Sequence, residues 1–235
     1  MLSLTNAWQC DIWPHALRLR QGNLTIARHP RIEGESLDSA LGTLFGQRSA
    51  SLPWRDSVTF HLDTDDLILM VQPWLPGVTT PQELLRLSQL QVTRHDSSAG
   101  QCANWQVRFE SAGWQQPALI AGLQLHCWEL LRTLAKRERL RFRGVATPFQ
   151  PLLKHCGRAL PENGLFIAIN THHSRIASRL NHAWHEVSTL SLPQQEMHAK
   201  LRIITRLSGM TDCTRYVINT EDGQPYVISP PGSRA

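Results

Sequence analysis

The chain has 235 residues, 41% hydrophobic and 18% charged, a balance that supports a packed core in one large or two small domains and excludes a disordered chain. Its formal charge of +5 comes largely from arginine, and a mildly basic solvated surface accounts for it more simply than nucleic acid or an anionic membrane. No run of 18 or more apolar residues occurs, and the first ten residues lack the basic start and apolar centre of a signal peptide, so neither a membrane span nor export is expected. The cysteines (Cys10, Cys102, Cys127, Cys156 and Cys213) are odd in number, widely spaced and in no metal-binding pattern, and they read as reduced thiols of a cytoplasmic protein.

Taken in order, residues 8–20 read as a strand, an interruption at Pro14 and a second strand. Gly22-Asn23 makes a turn into a third strand at 24–28. Ser36 is placed to cap a helix running to Phe45, whose apolar positions Leu37, Leu41, Leu44 and Phe45 have helical spacing. Strands follow at 58–62 and 67–71, the second ending in Pro73-Trp74-Leu75-Pro76. Pro81 suits the first position of a helix carrying Leu84, Leu85, Leu87 and Leu90. A polar, flexible connection is expected over 95–103.

Beyond it, 105–110 alternates as a strand, 113–116 is a turn, 117–121 an apolar strand, 123–136 a helix and 140–145 a strand. The last three are expected to form a right-handed β-α-β crossover between parallel strands. A short helix spans 149–156. Leu165 to Ile169 is apolar on both faces and reads as a buried strand. A polar turn, Asn170-Thr171-His172-His173-Ser174, leads into strands at 175–179 and 184–187. A helix over 193–208 and a hairpin around Asp222-Gly223 complete the fold, and 230–235 is expected to be disordered.

This order of blocks resembles the actin-like, ribonuclease-H-like duplicated fold. More narrowly, four features together look like PilM-type pilus-assembly proteins and the cytoplasmic domain of GspL-type secretion proteins. They are the strand ending in Pro73-Trp74, the strand Trp105-Gln106-Val107-Arg108, the apolar strand before the helix through Leu134, and the Trp184-containing strand after Phe166 to Ile169. The resemblance covers about residues 8–207 and rests on the order of blocks rather than on one motif. It implies an α/β protein with two subdomains of mixed sheet with flanking helices, a first over 1–112 and a second over 113–229. It also implies a cytoplasmic scaffold, peripheral at the inner membrane, that binds the cytoplasmic segment of a bitopic membrane protein and the assembly ATPase.

An active member of this fold needs two phosphate turns, each with an acid for the metal and small residues whose N–H groups approach phosphate. The first should fall at residues 11–15, where Asp11 is present but Trp13 and Pro14 replace the small residues and Pro14 has no N–H. The second should fall at 170–174, which holds neither acid nor glycine. A degenerate nucleotide site follows, with no catalytic residue, cofactor or metal. The alternative is a nucleotide-binding ATPase or phosphotransferase that uses Asp11. No G-x-S-x-G, HExxH, Walker A or G-x-G-x-x-G sequence occurs.

Candidate partner-binding residues are Trp74, the basic row Arg139, Arg141 and Arg143, and the turn histidines His172 and His173. Each has a plain structural account as well: a buried junction tryptophan, a solvated strand face, and surface turn histidines. Aromatic residues do not interleave with the basic row as stacking platforms for single strands do, so nucleic acid is not expected as a partner.

Overall fold

The computed structural model describes residues 6–48, 55–95, 104–157, 159–192 and 196–229. The tail 230–235, most of the expected connection at 95–103 and part of the loop before residue 56 lie outside them.

The first mixed sheet is built from β1 (Ala7–Ile12), β2 (Ala16–Gln21), β3 (Leu24–Pro30), β4 (Ser57–Leu62) and β8 (Arg141–Ala146), in the order β3-β2-β1-β4-β8. β1 runs antiparallel to β2 and parallel to β4, and β4 runs parallel to β8. Helix α1 (Leu37–Gly46) starts where the Ser36 hydroxyl accepts the Ser39 N–H, a cap of the expected kind. It packs on β2 and β3 and against α3 (Leu125–Arg137), which also covers β8. Phe45, Phe60, Phe142 and Trp128 link these elements, with ring centroids 6.2, 6.0 and 4.9 Å apart in succession.

The second five-stranded sheet repeats the plan. It contains β9 (Gly164–Ile169), β10 (Ser174–Leu180), β11 (Ala183–Leu190), β12 (Thr214–Asn219) and β13 (Pro225–Ile228), in the order β11-β10-β9-β12-β13. β9 is antiparallel to β10 and parallel to β12, as β1 is to β2 and β4. All six residues of β9 are buried, as a strand covered on both faces requires. Leu165, Ile167 and Ile169 face Leu201 and Ile204 of α5 (Met197–Leu207). Phe166 stacks on Tyr216 and packs against Trp184 on the other side, where α4 (Gln150–Cys156) meets β12 and β13. The fifth strand departs from the first sheet: β13 is antiparallel to β12, through the hairpin expected at Asp222-Gly223.

The remaining strands, β5 (Leu67–Gln72), β6 (Trp105–Ser111) and β7 (Ala118–Gln124), form a three-stranded sheet ordered β5-β7-β6, and α2 spans Pro81–His95. The chain groups into two compact units: Met1–Ile68, Gln91–Gln106 and Gly122–Thr147, and Leu69–Leu90, Val107–Ala121 and Pro148–Ala235.

Two expectations are corrected. Strands β7 and β8 do not form a β-α-β crossover in one sheet, because β7 pairs with β5 and β6 whereas β8 pairs with β4. Nor do the sheets divide at residue 112, since β8 completes the first sheet and Gly122–Thr147 belongs to the first unit. In both cases the pattern of apolar residues marked the strands but carried no information on which strand each would pair with.

Candidate functional site

The two sheets carry equivalent turns at equivalent places. After β1, residues 13–16 form a four-residue turn closed by the Trp13 N–H on the Ala16 carbonyl at 3.0 Å. After β9, residues 170–173 form a four-residue turn closed by the Asn170 N–H on the His173 carbonyl, also at 3.0 Å. Beyond each parallel neighbour the same bond recurs: Asp63 N–H donates to the Ile12 carbonyl at 3.0 Å, and Thr220 N–H to the Ile169 carbonyl at 2.9 Å. These are the positions predicted for phosphate turns, at the carboxyl ends of parallel strands, where ligands of open α/β sheets bind.

Just before the first turn, Asp11 of β1 is 3% exposed and is held from β2. Its Oδ2 accepts from Arg18 Nε and Arg20 Nε, each at 2.7 Å, and its Oδ1 from Arg20 Nη2 at 2.8 Å. Asp11 and Arg18 are direct cross-strand partners, so the pair follows from the hairpin register. The Arg18 guanidinium also lies 4.9 Å from the Trp13 ring centre, and Trp13 in turn stacks on His15. The carboxylate that an active member would turn to a metal thus points into two guanidinium groups. A cavity of about 400 Å³ opens beside Pro14, lined by Arg31, Glu33, Glu35, Asp65 and Asp66 among others. His29 hydrogen-bonds Glu35 there at 3.0 Å, and this bond lowers the Glu35 carboxyl below its ordinary range.

The second turn is closed in a different way. Thr171 donates both its N–H, at 3.0 Å, and its hydroxyl to the Glu221 carboxylate. The N–H groups of His172 and His173 donate to Asn170 Oδ1 at 2.8 and 2.7 Å. Every backbone N–H of residues 170–173 therefore ends on an oxygen of the protein. On the carbonyl side, Lys200 of α5 is 5% exposed and its Nζ donates to the carbonyls of Asn170 and Thr171 at 3.1 and 3.2 Å. A cavity of about 390 Å³ lies against Asn170, Thr171, Glu196, Lys200, Asn219 and Glu221. Its two carboxylates oppose the approach of a phosphate.

Glu221 and Lys200 were not legible as parts of this turn, because they enter it from 50 and 29 residues along the chain. Arg18 and Arg20 were nearer to view: a hairpin joining 8–12 to 16–20 places alternate residues of the second strand opposite Asp11.

The candidate contact residues fall in separate places. His172 is exposed on the second turn, while His173 is half-buried with its ring 3.2 Å from Asn170 Nδ2. Half-buried Trp74 is pinned by its Nε1–H on the Val78 carbonyl at 2.9 Å and packs 5.2 Å from the ring of Trp114, itself 64% exposed. Arg139, Arg141 and Arg143 are exposed at the start and along β8 of the first sheet. His182 occupies the left-handed second position of the Asn181-His182 turn, and His185 is exposed on β11. Among the described residues no group of His, Cys, Asp and Glu is arranged to hold a metal, and no helix is long and apolar enough to cross a membrane.

No protein-family model matches the sequence, and no curated protein matches it. Solved structures do match. A protein of actin-like ATPase fold and unknown function from Bacteroides thetaiotaomicron is 8% identical with a TM-score of 0.54, over 89% of this chain and 79% of that one. A PilM–PilN type IV pilus biogenesis complex matches at 13% identity and a TM-score of 0.53, over 87% of this chain and 66% of that one. The cytoplasmic domain of EpsL, an inner-membrane component of the type II secretion system of Vibrio cholerae, matches at 13% identity and 0.49, over 79% and 71%. The chain has the actin-like fold, as the order of its strands led one to expect.

Proposed function

We propose that this chain is a non-catalytic scaffold of a type IV pilus or type II-like secretion platform. In this reading it sits in the cytoplasm at the inner membrane, holds the cytoplasmic segment of a bitopic membrane protein and contacts the assembly ATPase. The observation that carries the non-catalytic part is the second turn, whose N–H groups are all donated within the protein, to the His173 carbonyl, Asn170 Oδ1 and the Glu221 carboxylate, rather than turned outward. A turn that satisfies itself gains nothing from a phosphate, because each new bond would cost one already made. The paired state of Asp11 supports the same conclusion at the first turn. The fold shared with PilM, solved in a pilus biogenesis complex with PilN, supports the choice of platform.

Isothermal titration with ATP and Mg²⁺ tests the first part, and no saturable heat is expected. Micromolar binding would overturn it and favour the nucleotide-dependent ATPase or phosphotransferase. Capture of a bitopic inner-membrane protein through its cytoplasmic segment, using the whole chain as bait, tests the second.

A further inference from the structure

Strand β8 ends its sheet, and among the described residues no strand pairs with its outer edge. Its side chains are sorted by face. Phe142 turns inward to Trp128 and Phe60, whereas Arg141 and Arg143 are exposed, with Arg139 exposed just before them. The neighbouring charges behave differently. Arg137 pairs with Asp38 at 3.2 Å, and Arg48 lies 3.9 Å from Glu138. Among the described residues Arg139, Arg141 and Arg143 have no acidic partner.

An unpaired strand edge offers backbone donors and acceptors to another extended segment. A second copy of this chain is a poor occupant, since it would set arginine against arginine. Arg143 is the extra residue of a bulge, since Phe142 and Gly144 pair with successive residues Val58 and Thr59, and the bend there, with Gly144 at φ +130°, limits any added strand to a short stretch of the edge. A nucleic-acid strand would need exposed aromatic rings beside the arginines, and the aromatic residues here are turned inward. What fits is the opposite charge on the same repeat: side chains two residues apart on a strand share a face, in the added strand as in β8.

We propose that the outer edge of β8 receives an extended acidic segment of a protein partner as an added strand, its carboxylates at alternate positions opposite Arg141 and Arg143. The surface deepens the scaffold reading and rests on it only for the statement that partners dock on this chain.

The test uses the full chain and a fluorescein-labelled ten-residue peptide in which glutamate alternates with valine or threonine, followed by fluorescence anisotropy. A peptide of equal composition with its glutamates contiguous is the control for charge alone. The alternating peptide is expected to bind at least about ten-fold more tightly than the control. Arg141→Glu with Arg143→Glu should abolish binding, and Arg141→Lys with Arg143→Lys should retain it within about three-fold. N-methylation of alternate peptide amides should weaken binding at least about ten-fold, because it removes edge hydrogen bonds and leaves the charges in place. Circular dichroism of the charge-reversed variant checks that it is folded. Equal binding of the two peptides, or binding indifferent to both charge reversal and N-methylation, would overturn the proposal and leave the ATP titration and the membrane-partner capture untouched.

Discussion

Replacing Asp11 by asparagine keeps the shape of the side chain and removes its charge. In the folded chain this leaves the guanidinium groups of Arg18 and Arg20, with side chains 6% and 13% exposed, facing a neutral amide. Of the three hydrogen bonds at 2.7 to 2.8 Å, at least one loses its acceptor, because an amide NH2 replaces one oxygen, and the rest lose the acceptor's charge. Breaking a buried ion pair by removing one member costs about 3–5 kcal/mol, because the remaining charge stays desolvated. Against the roughly 5–15 kcal/mol by which domains are stable, that is at least about a fifth of the total. In urea it corresponds to a fall in the unfolding midpoint of about 1–2 M. The assay is urea unfolding followed by both circular dichroism and tryptophan fluorescence, whose coincidence establishes a single transition. The triple replacement Asp11→Leu, Arg18→Met, Arg20→Leu removes all three charges together and is expected to stay within about 1 kcal/mol of the parent. If Asp11→Asn moved the midpoint by less than about 0.3 M, the clamp would not be a structural element and the carboxylate would be free for another task. The phosphotransferase reading makes the contrary prediction, a stable variant that has lost activity.

Three further outcomes are expected. Lys200→Met deprives the carbonyls of Asn170 and Thr171 of their donor and should cost about 1–3 kcal/mol in thermal unfolding; an unchanged Tm would show that the turn holds without it. Burial pushes the Cys127 thiol up to about 12 from 9.0, so its contribution to stability is complete below about pH 9 and is lost as pH rises toward 12, where the unfolded thiol ionises and the folded one does not. Alkylation of the native chain at pH 8.5, read by peptide mass, should therefore spare Cys127 while half-buried Cys156 reacts, and equal labelling would refute the placement. The Glu35 carboxyl, held below 4.5 mainly by the His29 hydrogen bond, stabilises the fold above that pH and ceases to do so as pH falls through its folded value. An NMR titration should show its midpoint rise toward 4.5 in His29→Ala, and no movement would mean the bond is not the cause.

Much of this protein is written locally. The helix beginning at Ser36, the buried strand Leu165–Ile169, the turns at 13–16 and 170–173 and the hairpin at Asp222-Gly223 each follow from propensities and apolar spacing within a few residues. The unsuitability of Pro14 as a phosphate donor is local too, because it depends on one missing N–H. The tertiary structure alone decided which strands pair. It sent β7 and β8 to different sheets and brought Glu221 and Lys200 onto a turn 50 and 29 residues away. Periodicity reports which face of a strand is apolar, and it is silent about which neighbour supplies the burial. The second turn looked poor in acid when read alone, and folding supplies the acid from β12's far end. There Glu221 accepts the N–H and hydroxyl of Thr171, so that carboxylate closes the turn.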